Sequence, residues 1–359
     1  MITIVYAHRN RDTKRIEVSF KSLQQQKLQN FEVIFVDYGS ERHLVKDLET
    51  LSGQFDFVKF FHLPVSQLLW NKSKGLNYGI KKASGDYIFI ADIDLVFHPE
   101  TTKLLEQIKS PAKFQLFKLG YLGKGESKTL SEGYKFEVLK AKSFGGVNGM
   151  ILTSRESLFK IDGLDEFFHF YGAEDEDLFA RLENIGLKRE HCEKSYFIHQ
   201  WHQSFSGSED KLLTGNPRVK NIKRINQRHF LQNREKGVVK PLRQIGMGEI
   251  INPVLSRKLK RPDLIVKTPN VLAHVEHLLR EELPSLQNKV IRIEFFEAVY
   301  YSSLKHRIKK LLGKQTQPYI SMKEVNDMVL KEILFNYRDH NYSFRINEDL
   351  KNIVFCIQV

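Results

Sequence analysis

The chain holds 359 residues, more than one ordinary core accommodates and about right for two domains. Hydrophobic residues make up 41% of it, with 26 Phe and 13 Tyr, which excludes wholesale disorder. The net charge of +13 is unevenly placed: residues 211–359 carry 28 Lys+Arg against 14 Asp+Glu, the first 210 carry 28 against 29, and such asymmetry calls for an anionic partner.

Ile2-Thr3-Ile4-Val5-Tyr6 reads as a strand, followed by the polar turn His8-Arg9-Asn10-Arg11-Asp12. Ile16 to Leu28 has helical spacing through Ile16, Phe20 and Leu23. Phe31–Val36 is a second strand, ending in Asp37-Tyr38-Gly39-Ser40. A helix around Leu44–Leu51, a short strand Phe57–Phe61 and a helix from Asn71 to Ala83 follow. Strands alternating with helices, without hairpin turns, predict a wound parallel sheet whose strands end on one edge.

Tyr87-Ile88-Phe89-Ile90-Ala91 then runs straight into Asp92-Ile93-Asp94. A continuous apolar run of this kind reads as a strand buried on both faces, so the two carboxylates belong where it ends. At i, i+2 they would leave an extended strand on the same face and address one cation. Arg11, Asp37, Asp92 and Asp94 all fall after strands and share the predicted edge, although Asp37 alone reads equally as a turn-former and Arg11 as a solvated side chain.

Residues 100–140 are rich in Lys and Gly, and Gly120, Gly123 and Gly125 suggest a mobile loop. Phe144-Gly145-Gly146-Val147-Asn148-Gly149-Met150 fits either a close approach to a substrate or a tight turn into a strand at Met150–Thr153. Tyr171-Gly172-Ala173-Glu174-Asp175-Glu176-Asp177 opens a helix that ends near Gly186. First-turn acids suit the helix dipole, but four exceed what capping uses; repulsion raises at least one carboxylate and makes it a general-base candidate. Tyr196-Phe197-Ile198 leads to His199-Gln200-Trp201-His202, and a mixed His and carboxylate set suits Mn²⁺, although packing alone also accounts for such a His pair.

Residues 211–260 carry 13 basic and 2 acidic side chains. Phe230 is their single aromatic, which leaves no stacking platform and argues against nucleic acid. Beyond them a helix near Val271–Glu282, a strand near Val290–Phe296 and a helix near Leu304–Leu312 predict a small α+β appendage. The last helix sets Leu304, Ile308, Leu311 and Leu312 on one face among Lys305, Arg307, Lys309 and Lys310. Docking onto the protein's own core is the favoured reading of that face; peripheral contact with an anionic membrane is the other. Two cysteines, Cys192 and Cys356, and the lack of a visible signal segment or apolar run of 18 residues fit a cytoplasmic protein, one also able to lie peripherally on the inner face of the membrane.

Taken in order, these blocks resemble the inverting GT-A glycosyltransferases of family 2 that carry the carboxyl-terminal motif block of the β1,4-galactosyltransferases. The resemblance rests on His8-Arg9-Asn10-Arg11, Trp70-Asn71-Lys72-Ser73-Lys74-Gly75-Leu76-Asn77-Tyr78-Gly79, Asp92-Ile93-Asp94-Leu95, Phe144-Gly145-Gly146-Val147 and Asp162-Gly163-Leu164. Gly172-Ala173-Glu174-Asp175-Glu176-Asp177, His199 to His202 and Asn216-Pro217-Arg218 extend it to about residue 230.

It implies an α/β GT-A fold with a Rossmann-like, mostly parallel sheet over residues 1–235, and residues 236–359 as a basic α+β extension. It implies a UDP-sugar-dependent hexosyl or N-acetylhexosaminyl transfer to a glycan or lipid-linked saccharide, forming a β-glycoside in surface polysaccharide or glycolipid synthesis. Asp94 and His202 match metal ligands, with Asp92 in the metal and ribose shell and His199 where the relatives have Met. The ion would be Mn²⁺ or Mg²⁺. Asp175 matches the catalytic base and Glu174 its neighbour that positions the acceptor. Arg11, Asp37, Lys72 and Arg218 match nucleoside or phosphate contacts, Arg218 on a loop covering the donor. Tyr38 departs from the Asp-Asp usual there, and Tyr171 stands where relatives carry an acceptor-stacking Trp. A catalytically inactive nucleotide-sugar binding module is the alternative.

Overall fold

The computed structural model describes residues 1–145, 149–203 and 209–359. Gly146, Val147 and Asn148 of the glycine-rich stretch lie outside them. The chain forms two compact units, the first comprising Met1–Ser66, Trp70–Ser204 and Lys223–Glu249, the second Gln67–Leu69, Phe205–Ile222 and Ile250–Val359.

The first unit begins with β1 (Ile2–His8), α1 (Thr13–Gln24), β2 (Phe31–Tyr38), α2 (Arg42–Ser52), β3 (Val58–Leu63) and α3 (Lys72–Lys82). Next come β4 (Tyr87–Ile90), β5 (Leu95–Phe97), α4 (Thr101–Ile108), β6 (Lys113–Tyr121), α5 (Lys124–Thr129) and β7 (Ser143–Gly145). It closes with β8 (Ile151–Ser154), α6 (Arg155–Lys160), α7 (Glu174–Asn184), β9 (Lys188–His199) and α8 (Ile222–Glu235).

The strands make one sheet in the order β3-β2-β1-β4-β8-β6-β9-β5, with β7 paired to β6. Pairing is parallel from β3 to β4 and again between β6 and β9, and antiparallel at β4–β8, β8–β6 and β9–β5. The parallel half is the one the strand–helix alternation predicts. The antiparallel pairs escape that reading because their partners are far apart in sequence. The arrangement is the expected α/β one, with helices flanking a mixed sheet that is parallel through its first four strands.

Residues 100–121 depart from the expected mobile loop. They form α4 and β6, because Phe114, Leu116, Phe117 and Leu119 are buried in the sheet and Gln115 and Lys118 merely interrupt an apolar run. The core is aromatic: Phe89 packs 5.3 Å from both Phe117 and Phe197, ring centre to ring centre. Helix α3 lies close on β1 and β2, since a Cβ on Gly79 would sit 2.6 Å from Val5 Cγ1 and 3.2 Å from Val36 Cγ2. Asn71 caps α3 through Lys74 N–H at 2.8 Å and donates to the Glu166 carbonyl at 2.7 Å. Asn77 donates to the Leu164 carbonyl and accepts from Leu164 N–H, each at 2.8 Å, so the motif asparagines fasten the loop that leads to α7.

Glu32 is the buried carboxylate that ties β2 to its neighbours. It accepts from Thr3 Oγ1 at 2.7 Å, Ser84 N and Oγ at 2.6 and 2.7 Å, and Lys59 Nζ at 2.7 Å. Burial pushes its pKa up, but these donors outweigh burial and hold it down at about 2. The ionised form therefore stabilises the fold fully above the unfolded value near 4.5, and that contribution fades as pH falls towards 2. Glu32→Gln is expected to lower stability by about 2 kcal/mol at pH 7, a figure discounted for the half-exposed Lys59. Urea unfolding at pH 7 and pH 3 checks this, with the wild-type advantage shrinking at the lower pH.

The second unit contains α9 (Pro253–Lys258), β10 (Leu264–Pro269), α10 (Leu272–His277), α11 (Leu283–Ser285), β11 (Val290–Phe296), α12 (Leu304–Leu311), α13 (Met322–Glu332), β12 (Tyr342–Ile346) and β13 (Asn352–Gln358). Its sheet runs β10-β11-β13-β12, parallel at the first pair and antiparallel at the other two. Val325, Val329 and Ile333 on one helical stripe are buried along with Ile293, Phe295 and Phe355 from the strands. It is the expected α+β appendage with more strands than sequence periodicity reveals. The units do not divide at residue 235: the chain returns to the first unit over 223–249, where Gly248 N–H donates to buried Glu166 at 2.6 Å. No helix among the described residues is long and apolar enough to cross a membrane.

Candidate active site

Strand β4 stops at Ile90, so Asp92 and Asp94 lie on a turn rather than in the strand. The same-face rule for i, i+2 therefore lapses, and the two carboxylates part company. Asp92 accepts from Lys72 Nζ at 2.7 Å. Asp94 instead meets His199 Nε2 at 3.3 Å and His202 Nε2 at 3.4 Å.

Asp94, His199 and His202 each offer one ligand atom, and these atoms all lie within 4.8 Å of one another; Asp92 is not a member of that set. The trio is built by the sheet: β5 and β9 pair antiparallel with Leu95 opposite His199, and Gln200 N–H donates to the Asp94 carbonyl at 3.0 Å. His202 Nδ1 donates to the Gln203 carbonyl at 2.9 Å, which leaves Nε2 as a lone pair aimed at a carboxylate oxygen. Burial lowers the His202 pKa and favours that neutral form. With Nε2 unprotonated, the facing lone pairs suit a cation between them, and donors about 2.1 Å from one ion would stand about 3 Å apart. The donor set fits a divalent ion such as Mn²⁺. Arg15, which sequence reading passed over, brings Nη1 within 3.6 Å of Asp94 Oδ2, and that buried nitrogen has no hydrogen-bond partner among the described residues. Its one sequence signal is its place four residues after Arg11, in the first turns of α1.

Lys72, at the first position of α3, sits among three carboxylates. Burial pulls its pKa down, but Asp92, Glu174 and Asp175 outweigh that and hold it above the ordinary lysine value. Lys72 in turn holds Asp92 below the usual range against its burial, with His199 and Arg11 adding to the effect. A Cβ on Gly149 would stand 3.7 Å from Lys72 Nζ and 3.9 Å from Asp175 Oδ2, so this glycine faces the same space.

The acidic helix sorts its own four carboxylates. Asp177 is buried in a 2.7 Å ion pair with Arg181, whose Nη1 donates to the Ile161 and Gly163 carbonyls. Glu176 lies outside, 3.9 Å from Arg189. Glu174 and Asp175 instead face Lys72, and burial followed by Asp175 raises the Glu174 pKa against the pull of Lys72. The backbone before them is strained: Phe170, Gly172 and Ala173 have φ of 63°, 106° and 68°. A bulky residue in that region persists only where its surroundings force it, and such residues gather at functional sites. From α8, His229 donates to Asp165 at 2.8 Å and Asn233 to Asp177 at 2.8 Å, which locks α7 in place.

Asp37 is fully buried and its oxygens have internal partners. His8 Nε2 accepts from Arg11 N–H at 3.0 Å, so His8 Nδ1 carries the proton and donates to Asp37 Oδ1 at 3.1 Å. His62 Nδ1 at 2.7 Å and the Ser40 hydroxyl complete the shell. Asp37 therefore acts on the Arg11 turn through His8. Arg218 belongs to the second unit, where its carbonyl accepts from Lys323 and Asn326 at 2.9 and 2.8 Å.

Residues 3–158 match the model of glycosyl transferase family 2, and residues 128–203 match the model described as the N-terminal domain of galactosyltransferase. The chain is similar to β-1,4-galactosyltransferase 4 of Rattus norvegicus, 30% identical over 174 residues that make up 45% of this chain and 44% of that protein. An uncharacterized glycosyltransferase of Haemophilus influenzae is 26% identical over 196 residues, 51% of this chain and 62% of that one. The chain thus spans about half the length of the curated relatives it matches. Among solved structures, S. aureus TarS 1-349 in complex with UDP-GlcNAc aligns with 57% of this chain and 59% of its own, at 17% identity and a TM-score of 0.42.

Proposed function

From the premise that residues 3–158 of this chain belong to glycosyl transferase family 2, with the galactosyltransferase block following over 128–203, we propose a specific reaction. The protein is a metal-dependent inverting glycosyltransferase that moves a hexose or N-acetylhexosamine from a UDP-sugar to a glycan or lipid-linked saccharide hydroxyl. The product is a β-glycoside of a surface polysaccharide or glycolipid. One observation carries this reading: Lys72 spans the gap between the turn at Asp92 and the carboxylates of Glu174 and Asp175, beside a trio able to hold a cation.

Asp94, His202 and His199 would hold the ion, with Asp92 beside it. When bound, such an ion acts as a Lewis acid towards diphosphate oxygens and offsets the charge of the departing nucleotide. Lys72 and Arg11 add fixed positive charge at the same edge. Asp175 accepts the acceptor hydroxyl's proton as that oxygen attacks, while Glu174, held back towards Gly172 N–H at 2.9 Å, orients the acceptor. With one base and no enzyme nucleophile, the displacement is in line and inverts an α-linked donor to a β-product. Half-exposed Tyr171 offers a ring for the acceptor sugar.

The similarity to a galactosyltransferase makes a galactosyl donor the first to test. UDP release from UDP-galactose, UDP-N-acetylgalactosamine, UDP-glucose and UDP-N-acetylglucosamine, with Mn²⁺, Mg²⁺ or chelator, is the experiment. Release from one donor, dependent on added metal and abolished by chelator, is expected. Absence of release with every donor and metal, in the presence of mixed saccharide acceptors, would sink the reading.

A further inference from the structure

Helix α12 leaves its apolar face uncovered. Leu304, Ile308, Leu311 and Leu312 are 74%, 54%, 87% and 63% exposed, and Val299 just before the helix is 88% exposed. Their spacing of four, three and one residues makes a single apolar stripe along the helix. The opposite side is anchored instead. His306, half a turn away from both Leu304 and Ile308, is buried, donates from Nδ1 to the Tyr301 carbonyl at 3.0 Å and packs its ring 5.4 Å from Tyr319. The helix is thus fixed by one side chain and turns its leucines to water.

The charge around the stripe is of one sign. No acidic residue occurs between Glu297 and Glu324, while Lys305, Arg307, Lys309, Lys310 and Lys314 all lie on or just after the helix. Lys305 and Arg307 flank the stripe on either side, which lets their aliphatic stems run along an apolar phase while their charges stay in a polar one. A second copy of this face would bring five cations against five. A soluble polyanion would satisfy the cations but leave four large aliphatic side chains in water. A surface that is apolar inside and anionic at its boundary satisfies both at once.

We infer that α12 is an interfacial anchor that lays Leu304, Ile308 and Leu311 into the headgroup boundary of an anionic lipid bilayer. This goes beyond the transferase reading and does not depend on it. The stripe overturns the expectation that this helix packs against the core, because the burial such packing requires is given to His306 alone.

The test is co-sedimentation of the full chain with vesicles of phosphatidylcholine containing phosphatidylglycerol, against phosphatidylcholine alone, at physiological and at fivefold higher salt. Binding to the anionic vesicles, weakened by salt and at least tenfold stronger than to neutral ones, is expected. L304S/L311S and K305Q/R307Q/K309Q/K310Q should each weaken it at least tenfold while keeping the wild-type thermal transition. Their changes lie on exposed positions apart from partly buried Lys309, and the thermal transition reports whether folding is kept. Three results would overturn the proposal: no vesicle binding, binding that both variants retain, or self-association of the wild type abolished by L304S/L311S without any vesicle binding. Binding to soluble polyphosphate in place of vesicles would overturn it too.

Discussion

Asp175→Asn is expected to lower the rate of sugar transfer by about 10²- to 10⁴-fold while leaving donor and metal binding within about threefold of wild type. The change is nearly isosteric, and the backbone around it is held independently. Asp177 with Arg181 and Asn233 fixes the helix, and Asp165 with His229 fixes the loop before it. What asparagine loses is the ability to take a proton. The attacking hydroxyl must then shed its proton to water or to Glu174, which stands beside it with a raised pKa and points back to Gly172 N–H. Rates at saturating donor, with UDP affinity measured by calorimetry, separate the two effects. A variant that turns over at the wild-type rate would remove Asp175 from the chemistry. A variant that no longer binds UDP would show instead that the acidic turn had been disturbed. The same pair of measurements distinguishes an enzyme from a module that only binds its nucleotide.

Asp94→Asn is expected to abolish Mn²⁺-dependent stabilisation and to reduce turnover by about 10³-fold or more, since the leaving group loses several kcal/mol of charge compensation. Asparagine keeps the shape and one acceptor oxygen but removes the charge that would draw a cation between Asp94 and the two imidazoles. The thermal transition gives a readout that does not require turnover. Ligand binding to the native state alone raises stability by about 2.7 kcal/mol at a hundredfold excess over Kd. Wild type should therefore shift upward with Mn²⁺ and UDP together, and Asp94→Asn should not. His202→Ala should behave alike, because its Nδ1–H is already committed to the Gln203 carbonyl and only Nε2 remains as a ligand. A full Mn²⁺ response in both variants would place the cation elsewhere.

Much of the parallel half of the sheet was legible because each strand there is a continuous apolar run followed by an amphipathic helix, a pattern that local spacing alone expresses. The acidic turn was legible for a different reason: four carboxylates exceed what a helix start can use. The antiparallel strands were harder to read, because β6 carries Gln115 and Lys118 within its apolar run, and β9 pairs with strands that lie far from it in the sequence. Asp37 shows the limit from the other side. Its place after β2 suggests a nucleoside contact, but His8 and His62, brought to it by parallel pairing on both flanks, occupy its oxygens. The leucines of α12 had a clear helical spacing, yet spacing says nothing about what covers a face.

By itself the sequence determined the order of strands and helices up to β4, the chemical types available at that sheet's edge, and the charge difference between the two parts of the chain. These are properties of neighbours along the backbone. Tertiary structure alone decided which of those groups meet. Leu95 pairs with His199 across an antiparallel register, which carries two imidazoles to Asp94 over about a hundred residues of chain. The end of β4 at Ile90 turns Asp92 away to Lys72. Both outcomes follow from where hydrogen-bonded pairing starts and stops, and that depends on the partner strand as much as on the strand itself.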